Sequence, residues 1–124
     1  MKVIGYLCLV ASLVLLVGCN SAEVKAVRAM PIGHVDLAQV KDGTYSGDFS
    51  YGGFTYEVSV TVASHRIIDI AAVRNRTTSP ARKAESVLKR VLEQQRNDVD
   101  AVSGATTTSK ALLKAVQSAL TKGL

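Results

Sequence analysis

The residues after position 41 predict an α+β domain, a small antiparallel β-sheet of three or more strands covered by two α-helices. Phe54, Tyr56, Val58, Val60 and Val62 alternate with Thr55, Glu57, Ser59 and Thr61, the period of a half-buried strand. Ala84, Val87, Leu88, Val91 and Leu92 recur at three- and four-residue spacing, as on one face of a helix. Leu112, Leu113, Val116 and Leu120 make a second such stripe. A chain of 124 residues is expected to hold one domain with one modest core.

Taken in order, Gly43 to Tyr51 mixes glycines with β-favouring aromatics and reads as a first strand, closed by a turn at Gly52-Gly53. The alternating run from Phe54 is the second strand. Ser64-His65-Arg66 has the size of a hairpin loop, and Ile67 to Val73 is a third, apolar strand. Short turns between successive strands make this an antiparallel meander. Ser79-Pro80 reads as a helix start, with Ser79 as cap and Pro80 first in the helix, which runs to about Asn97. The last helix is expected from about Thr108 to Lys122, with Gly123 at the left-handed position after it.

The N-terminus has a different character. Lys2 is the only charge in the first 18 residues, and Val3 to Val17 is an apolar run shorter than a membrane span. This is the pattern of a secretory signal. Leu16-Val-Gly-Cys19 resembles a bacterial lipobox, which implies diacylglycerol on Cys19 and cleavage before it. Residues 1–18 are then a signal peptide, 19–35 a lipidated tether and 36–124 the folded domain. Such a protein is held at the cell membrane or outer membrane by its lipid, in an extracytosolic (periplasmic or cell-surface) location. Asn20-Ser21, with no Asp after the cysteine, resembles the outer-membrane case. Cys8 leaves with the signal, so the mature chain keeps no free thiol, which suits an oxidising compartment. Within the tether, Ala22 to Ala29 has the length for two helical turns, and Pro31-Ile-Gly33 ends any such pattern.

A net charge of +5, spread along helices among Glu and Gln, is that of a solvated face. No RNP-like motif, zinc-finger spacing or aromatic-basic interleaving points to nucleic acid. His34 and His65 stand alone in a linker and a turn, without a second ligand at metal spacing.

Between the two helices lies Asn97-Asp-Val-Asp100-Ala-Val-Ser103-Gly-Ala-Thr106-Thr-Thr-Ser109. Gly104 and Ala105 carry little side-chain bulk, and a helix start offers unpaired N–H donors to an anion, most naturally a phosphate. Thr106, Thr107, Thr108 and Ser109 add hydroxyls, one of which is expected to cap the helix. Position alone does not choose among the four.

Asp100-Ala-Val-Ser103-Gly104-Ala105-Thr106 matches the flavinylation motif Asp-x-x-(Ser/Thr)-Gly-Ala-Thr. With Asp42-Gly-Thr-Tyr-Ser-Gly47 as opening strand, the chain resembles the FMN-binding domain family over roughly residues 36–122. That family includes the C subunit of sodium-pumping NADH:quinone reductase and the G subunit of Rnf-type complexes. The resemblance implies FMN joined through its phosphate to the hydroxyl of Thr106, with Asp100, Ser103, Gly104 and Ala105 as recognition context. It also implies a flavin transferase that uses FAD and Mg²⁺ to make the bond, so this domain is that enzyme's substrate. No Ser/His/Asp set or activated cysteine marks the chain as an enzyme itself. The expected role is a membrane-tethered flavoprotein relaying electrons between membrane or extracytosolic redox partner proteins. Two other readings stay open: a flavin-carrying component of a separate reductase, and a binding lipoprotein that is never flavinylated. Tyr45, Tyr51, Phe54 and Tyr56 are stacking candidates for the isoalloxazine, each equally suited to the core. The segment Arg74-Asn-Arg-Thr-Thr-Ser-Pro80 departs from the family's Glu-Thr-Pro-Gly-type stretch, so its role does not transfer by identity.

Overall fold

The computed structural model describes residues 22–124. The signal segment 1–18 and Cys19 lie outside the described residues. The described part of helix α1 covers residues 22–29, and a 3₁₀ turn follows at Leu37–Gln39. Strands β1 (Gly43–Tyr51), β2 (Phe54–Ala63) and β3 (Arg66–Arg74) form one antiparallel sheet in sequence order. Helices α2 (Ser79–Ala84), α3 (Ser86–Gln94) and α4 (Thr106–Thr121) complete an α+β fold. Among the described residues, no helix is long and apolar enough to cross a membrane.

The expected meander is present, with Tyr51 paired to Phe54 across the Gly52-Gly53 turn and Ala63 to Arg66 across Ser64-His65. The alternation in β2 places Tyr56, Val58, Val60 and Val62 in the core. Strand β3 is less buried than its composition suggests. Only Ile67 is fully inside, while Ile68 and Val73 lie at an edge and are each 58% exposed. Register shifts near Thr61/Val62 and Glu57/Val58 re-aim its side chains and break the simple alternation.

Helix α4 crosses the sheet on its buried face. Leu112, Leu113, Val116 and Leu120 are fully buried, as their spacing predicts. Ala111, Ala115 and Ala119 are also buried, and β1 approaches this small-residue side closely at Gly47. A close approach of this kind requires glycine, because any Cβ at 47 meets α4.

Four boundary expectations change at the first predicted helix and at Gly123. The helix predicted from Ser79 is two segments, since Glu85 keeps helical angles while bonds of the 3₁₀ type tighten the turn (Glu85 N–H to Arg82 O, Leu88 N–H to Glu85 O). Its cap is Thr78 rather than Ser79, because the Thr78 hydroxyl accepts from the Ala81 N–H at 3.3 Å. It ends at Gln94, where Gln95 turns left-handed (φ 55°) and its side-chain amide bonds both the N–H and the carbonyl of Ile67. Gly123 is not left-handed; it is glycine because a Cβ there would press on Tyr45 and Val40.

The segment read as a tether is partly packed. Val27 of α1 and Val35 are buried. The Glu23 carboxylate accepts the Gly52 N–H at 2.9 Å, and Lys110 Nζ donates to the Met30 carbonyl at 3.1 Å. These contacts bring residues 22–35 against the domain that they precede.

Candidate functional site

Two side chains hold the loop from Gln95 to Ala105 in place. Asn97 is fully buried; its Oδ1 accepts the Val35 N–H at 2.9 Å and its Nδ2 donates to the Gly33 carbonyl. Arg90 Nη1 donates to the carbonyls of Asp100 (3.0 Å) and Ala101 (3.2 Å). Between them, Arg96 donates twice to the Asp98 carboxylate, at 2.8 and 2.7 Å, and holds that carboxyl well below the usual range. Nδ1 of the exposed His34 is 3.4 Å from the same carboxylate. Asn97→Ala would strand the buried Val35 N–H and leave the Gly33 carbonyl without its partner. It is expected to cost about 2–4 kcal/mol, read from urea denaturation of the full chain.

The turn into α4 follows. The Ala105 N–H bonds the Val102 carbonyl at 3.0 Å, and Gly104 takes φ +79°, the left-handed region that favours glycine. A side chain at 104 would find space, so its glycine answers to backbone conformation rather than to bulk. Ala105 is buried in the core, so its small side chain fills a packing position instead of clearing a surface. Ser103 is exposed within the turn, and Asp100 is exposed upstream of it. Only the Asp100 carbonyl is tied down among the described residues; no hydrogen bond brings its carboxylate to Thr106.

Helix α4 begins at Thr106, two residues before its expected start. Its N-cap is Ala105, and no side chain caps it, contrary to the expectation that one of four hydroxyls does so. The reason is that most of them are engaged elsewhere. Ser109 is fully buried and its Oγ accepts the Val102 N–H at 3.1 Å. Thr107 Oγ1 accepts from Arg28 Nε at 2.8 Å, and Thr108 is buried. Thr106 is half-buried, and its hydroxyl makes no hydrogen bond among the described residues. The first N–H groups of α4 are therefore open to an acceptor beside a free hydroxyl.

A cavity of about 490 Å³ reaches the first turn of α4 at Thr108, with none of Asp100 to Thr106 in its lining; its other walls are Tyr51 and Gly52 of the β1–β2 hairpin, Arg76, Thr78, and Glu23 and Val24 of α1. That volume falls within the usual range for small-molecule sites. Arg76 organises one wall. Its Nε donates to the Tyr56 hydroxyl at 2.8 Å, and its guanidinium lies 4.8–5.9 Å from the ring centres of Tyr51, Phe54 and Tyr56. Tyr56 donates in turn to the Tyr51 hydroxyl at 3.2 Å, and their rings stack 5.5 Å apart. Tyr56 is thus core, while Tyr51 reaches the cavity. Tyr45 is distant from it, packed near Val40 and Gly123 with its hydroxyl on the Lys41 carbonyl. A larger groove of about 550 Å³ lies between β1 and the C-terminal half of α4, at Phe49, Lys114 and Lys122.

Burial first, then the bond and proximity to Tyr56, push the Tyr51 phenol from 10.0 up to about 12, against opposing effects of Thr108 and Arg76. The folded protein then keeps a proton that the unfolded chain releases above about pH 10. Stability that is fully present below that pH is expected to fall as pH rises towards 12. Tyr51→Phe should flatten this slope in urea titrations.

The family model for the FMN-binding domain matches residues 51–121, more than half of the chain. The chain belongs to the FMN-binding domain family. It is a flavin-binding protein whose cofactor is FMN. No curated protein matches the chain. The matched segment begins at the last residue of β1, so Asp42–Gly47, read as the family's opening strand, lies outside it. It holds the whole turn from Asp100 to Thr106, together with Tyr51 and Arg76. The residues present fit such a cofactor: an uncapped helix start suits its phosphate, and an aromatic, arginine-lined cavity suits a flat heterocycle with carbonyl groups. Among the described residues, no cluster of His, Cys, Asp or Glu could hold a metal.

Sequence reasoning missed Asn97, Glu23 and Arg28. An Asn at a helix end is an ordinary signal, and nothing local shows that it clamps a segment more than sixty residues away. Glu23 and Arg28 fell in a stretch without sustained period, broken at Pro31-Ile-Gly33, that reads as a tether.

Proposed function

We propose that this FMN-binding domain carries its FMN covalently on Thr106 and relays electrons between membrane or extracytosolic redox proteins, tethered by a lipid on Cys19. The observation that supports the covalent site is the free Thr106 hydroxyl at an uncapped helix start, with its three hydroxyl neighbours buried or bonded. In the bond-forming step, Thr106 Oγ1 joins the FMN phosphorus, the pyrophosphate of FAD breaks, and AMP leaves. The hydroxyl proton passes to a base of the flavin transferase. Asp100 and Ser103 are exposed and lie upstream of Thr106, which supports a role in recognition by that enzyme rather than in holding the product. A covalent bond also makes occupancy independent of free cofactor, which is dilute outside the cytoplasm.

When bound, FMN supplies electron-transfer chemistry. The chain's own residues would orient it: the N–H groups of α4 would hold the phosphate, Tyr51 would offer a stacking face, and Arg76, whose Nε and Nη2 already bond Tyr56 and the carbonyls of Tyr51 and Gly52, would present Nη1 to a carbonyl edge. The lipid places this carrier at a membrane surface, where two acyl chains anchor stably.

Co-expression of the full chain with a flavin transferase tests the reading. The expected result is a fluorescent band after denaturing electrophoresis and an intact mass increased by one FMN less one water. A dark band at unmodified mass would end the covalent proposal. Mass spectrometry of the processed N-terminus tests the anchor, and an unlipidated Cys19 would remove it.

A further inference from the structure

Cations crowd the start of α4, where a helix disfavours them. The positive end of a helix dipole stabilises anions, yet the first turn of α4 holds no acidic residue. Instead, Arg28 Nε donates to Thr107 Oγ1 at 2.8 Å, and Lys83 Nζ lies 3.6 Å from where a Cβ on Gly104 would stand. Thr106 falls in the chain between these two points. Among the described residues, no carboxylate forms an ion pair with either cation. Arg28 uses one of five donors on a neutral hydroxyl, which leaves the rest of a rigid fork suited to phosphate.

The element carrying Arg28 shares this bias. Among the described residues of α1, only Val27 enters the core. The polar ties of α1 run to Gly52 at the cavity and to Thr107 at the helix start. Glu23 and Arg28 of α1 thus both meet the flavin site, although the described part of α1 lies outside the family-matched segment.

We infer that Arg28 is a positioning residue for the FMN phosphate on Thr106, which makes α1 part of the flavin site rather than of the tether. This rests on the covalent reading above. Without the phosphate, Arg28 and Lys83 face a positive helix end with no anion between them. With it, Arg28 gains a charge-assisted partner, and α1 is fastened to the domain.

The test compares hydrogen exchange of residues 22–29 in the full chain, with and without flavin, for wild type and Arg28→Gln. Glutamine keeps a donor for Thr107 while removing the charge. In wild type, flavinylation is expected to slow exchange about tenfold, the scale of one hydrogen bond to a charged group. In Arg28→Gln that slowing should be lost, and Arg28→Lys should restore part of it. A purely structural role would change exchange equally with and without flavin, so equal slowing in wild type and Arg28→Gln overturns the inference. Should Arg28→Gln not load, wild type alone decides. Its flavin-dependent protection must weaken as salt screens the pair, and salt-independent protection overturns the inference. Intact mass before exchange separates the two levels: an unloaded wild type refutes the covalent reading itself, whereas a loaded wild type without slowing refutes only the role of Arg28.

Discussion

Gly47→Ala is expected to destabilise the fold more than a methyl added at any other described glycine, by more than about 3 kcal/mol, or to prevent folding. A methyl there would overlap the Ala115 carbonyl oxygen and the Ala119 nitrogen, and would lie 2.8 Å from the Ala119 Cβ. Two of those atoms are helix backbone, so no rotamer change relieves the overlap. Either α4 lifts from β1 and opens the apolar core, or β1 detaches. For the same reason, adding Ala119→Gly should rescue little, since it removes only the third contact. Circular dichroism and urea denaturation of the full chain would show this. A loss below about 1 kcal/mol would mean that α4 can shift cheaply against the sheet. The consequence reaches the site, because the seating of α4 on β1 sets where Thr106 stands relative to Tyr51 and the cavity.

Thr106→Ala should abolish covalent flavin while leaving the fold intact. The Thr106 hydroxyl makes no hydrogen bond among the described residues, and alanine suits a helix better than threonine. The stability change should therefore stay within about 0.5 kcal/mol, as for ordinary surface substitutions. Loss of fluorescence in a normally folded chain separates attachment from folding. Thr107→Ala should keep its flavin. Ser109→Ala should also retain the attachment residue but lose about 1–3 kcal/mol, since the Val102 N–H loses its buried acceptor. Retained fluorescence in Thr106→Ala would move the bond to Thr107 or Thr108.

The local patterns were legible because each is a periodicity that any half-buried element must show. β2 alternates because one face meets α4 and the other meets solvent, and α4 carries a stripe because it lies on that sheet. The turn motif was legible for a different reason, since Gly104 answers to a backbone angle rather than to a periodicity. Patterns failed where a residue answers to something distant. Gly123 looked like a helix stop and is a close contact with Tyr45. Tyr45 and Tyr51 looked alike, yet they sit at opposite ends of β1, and only Tyr51 reaches the cavity.

By itself, then, the sequence determined the α+β class, the meander, the two amphipathic faces and the seven-residue motif ending at Thr106, all of which depend on neighbours within a few residues. Tertiary structure alone decided that α1 packs against the site, that Asn97 clamps residues 33–35, and that Arg76 gathers three aromatic rings. It also separated Thr106 from the hydroxyls beside it, because whether a hydroxyl is free depends on partners such as Arg28 and Val102, whose arrival only the folded chain arranges.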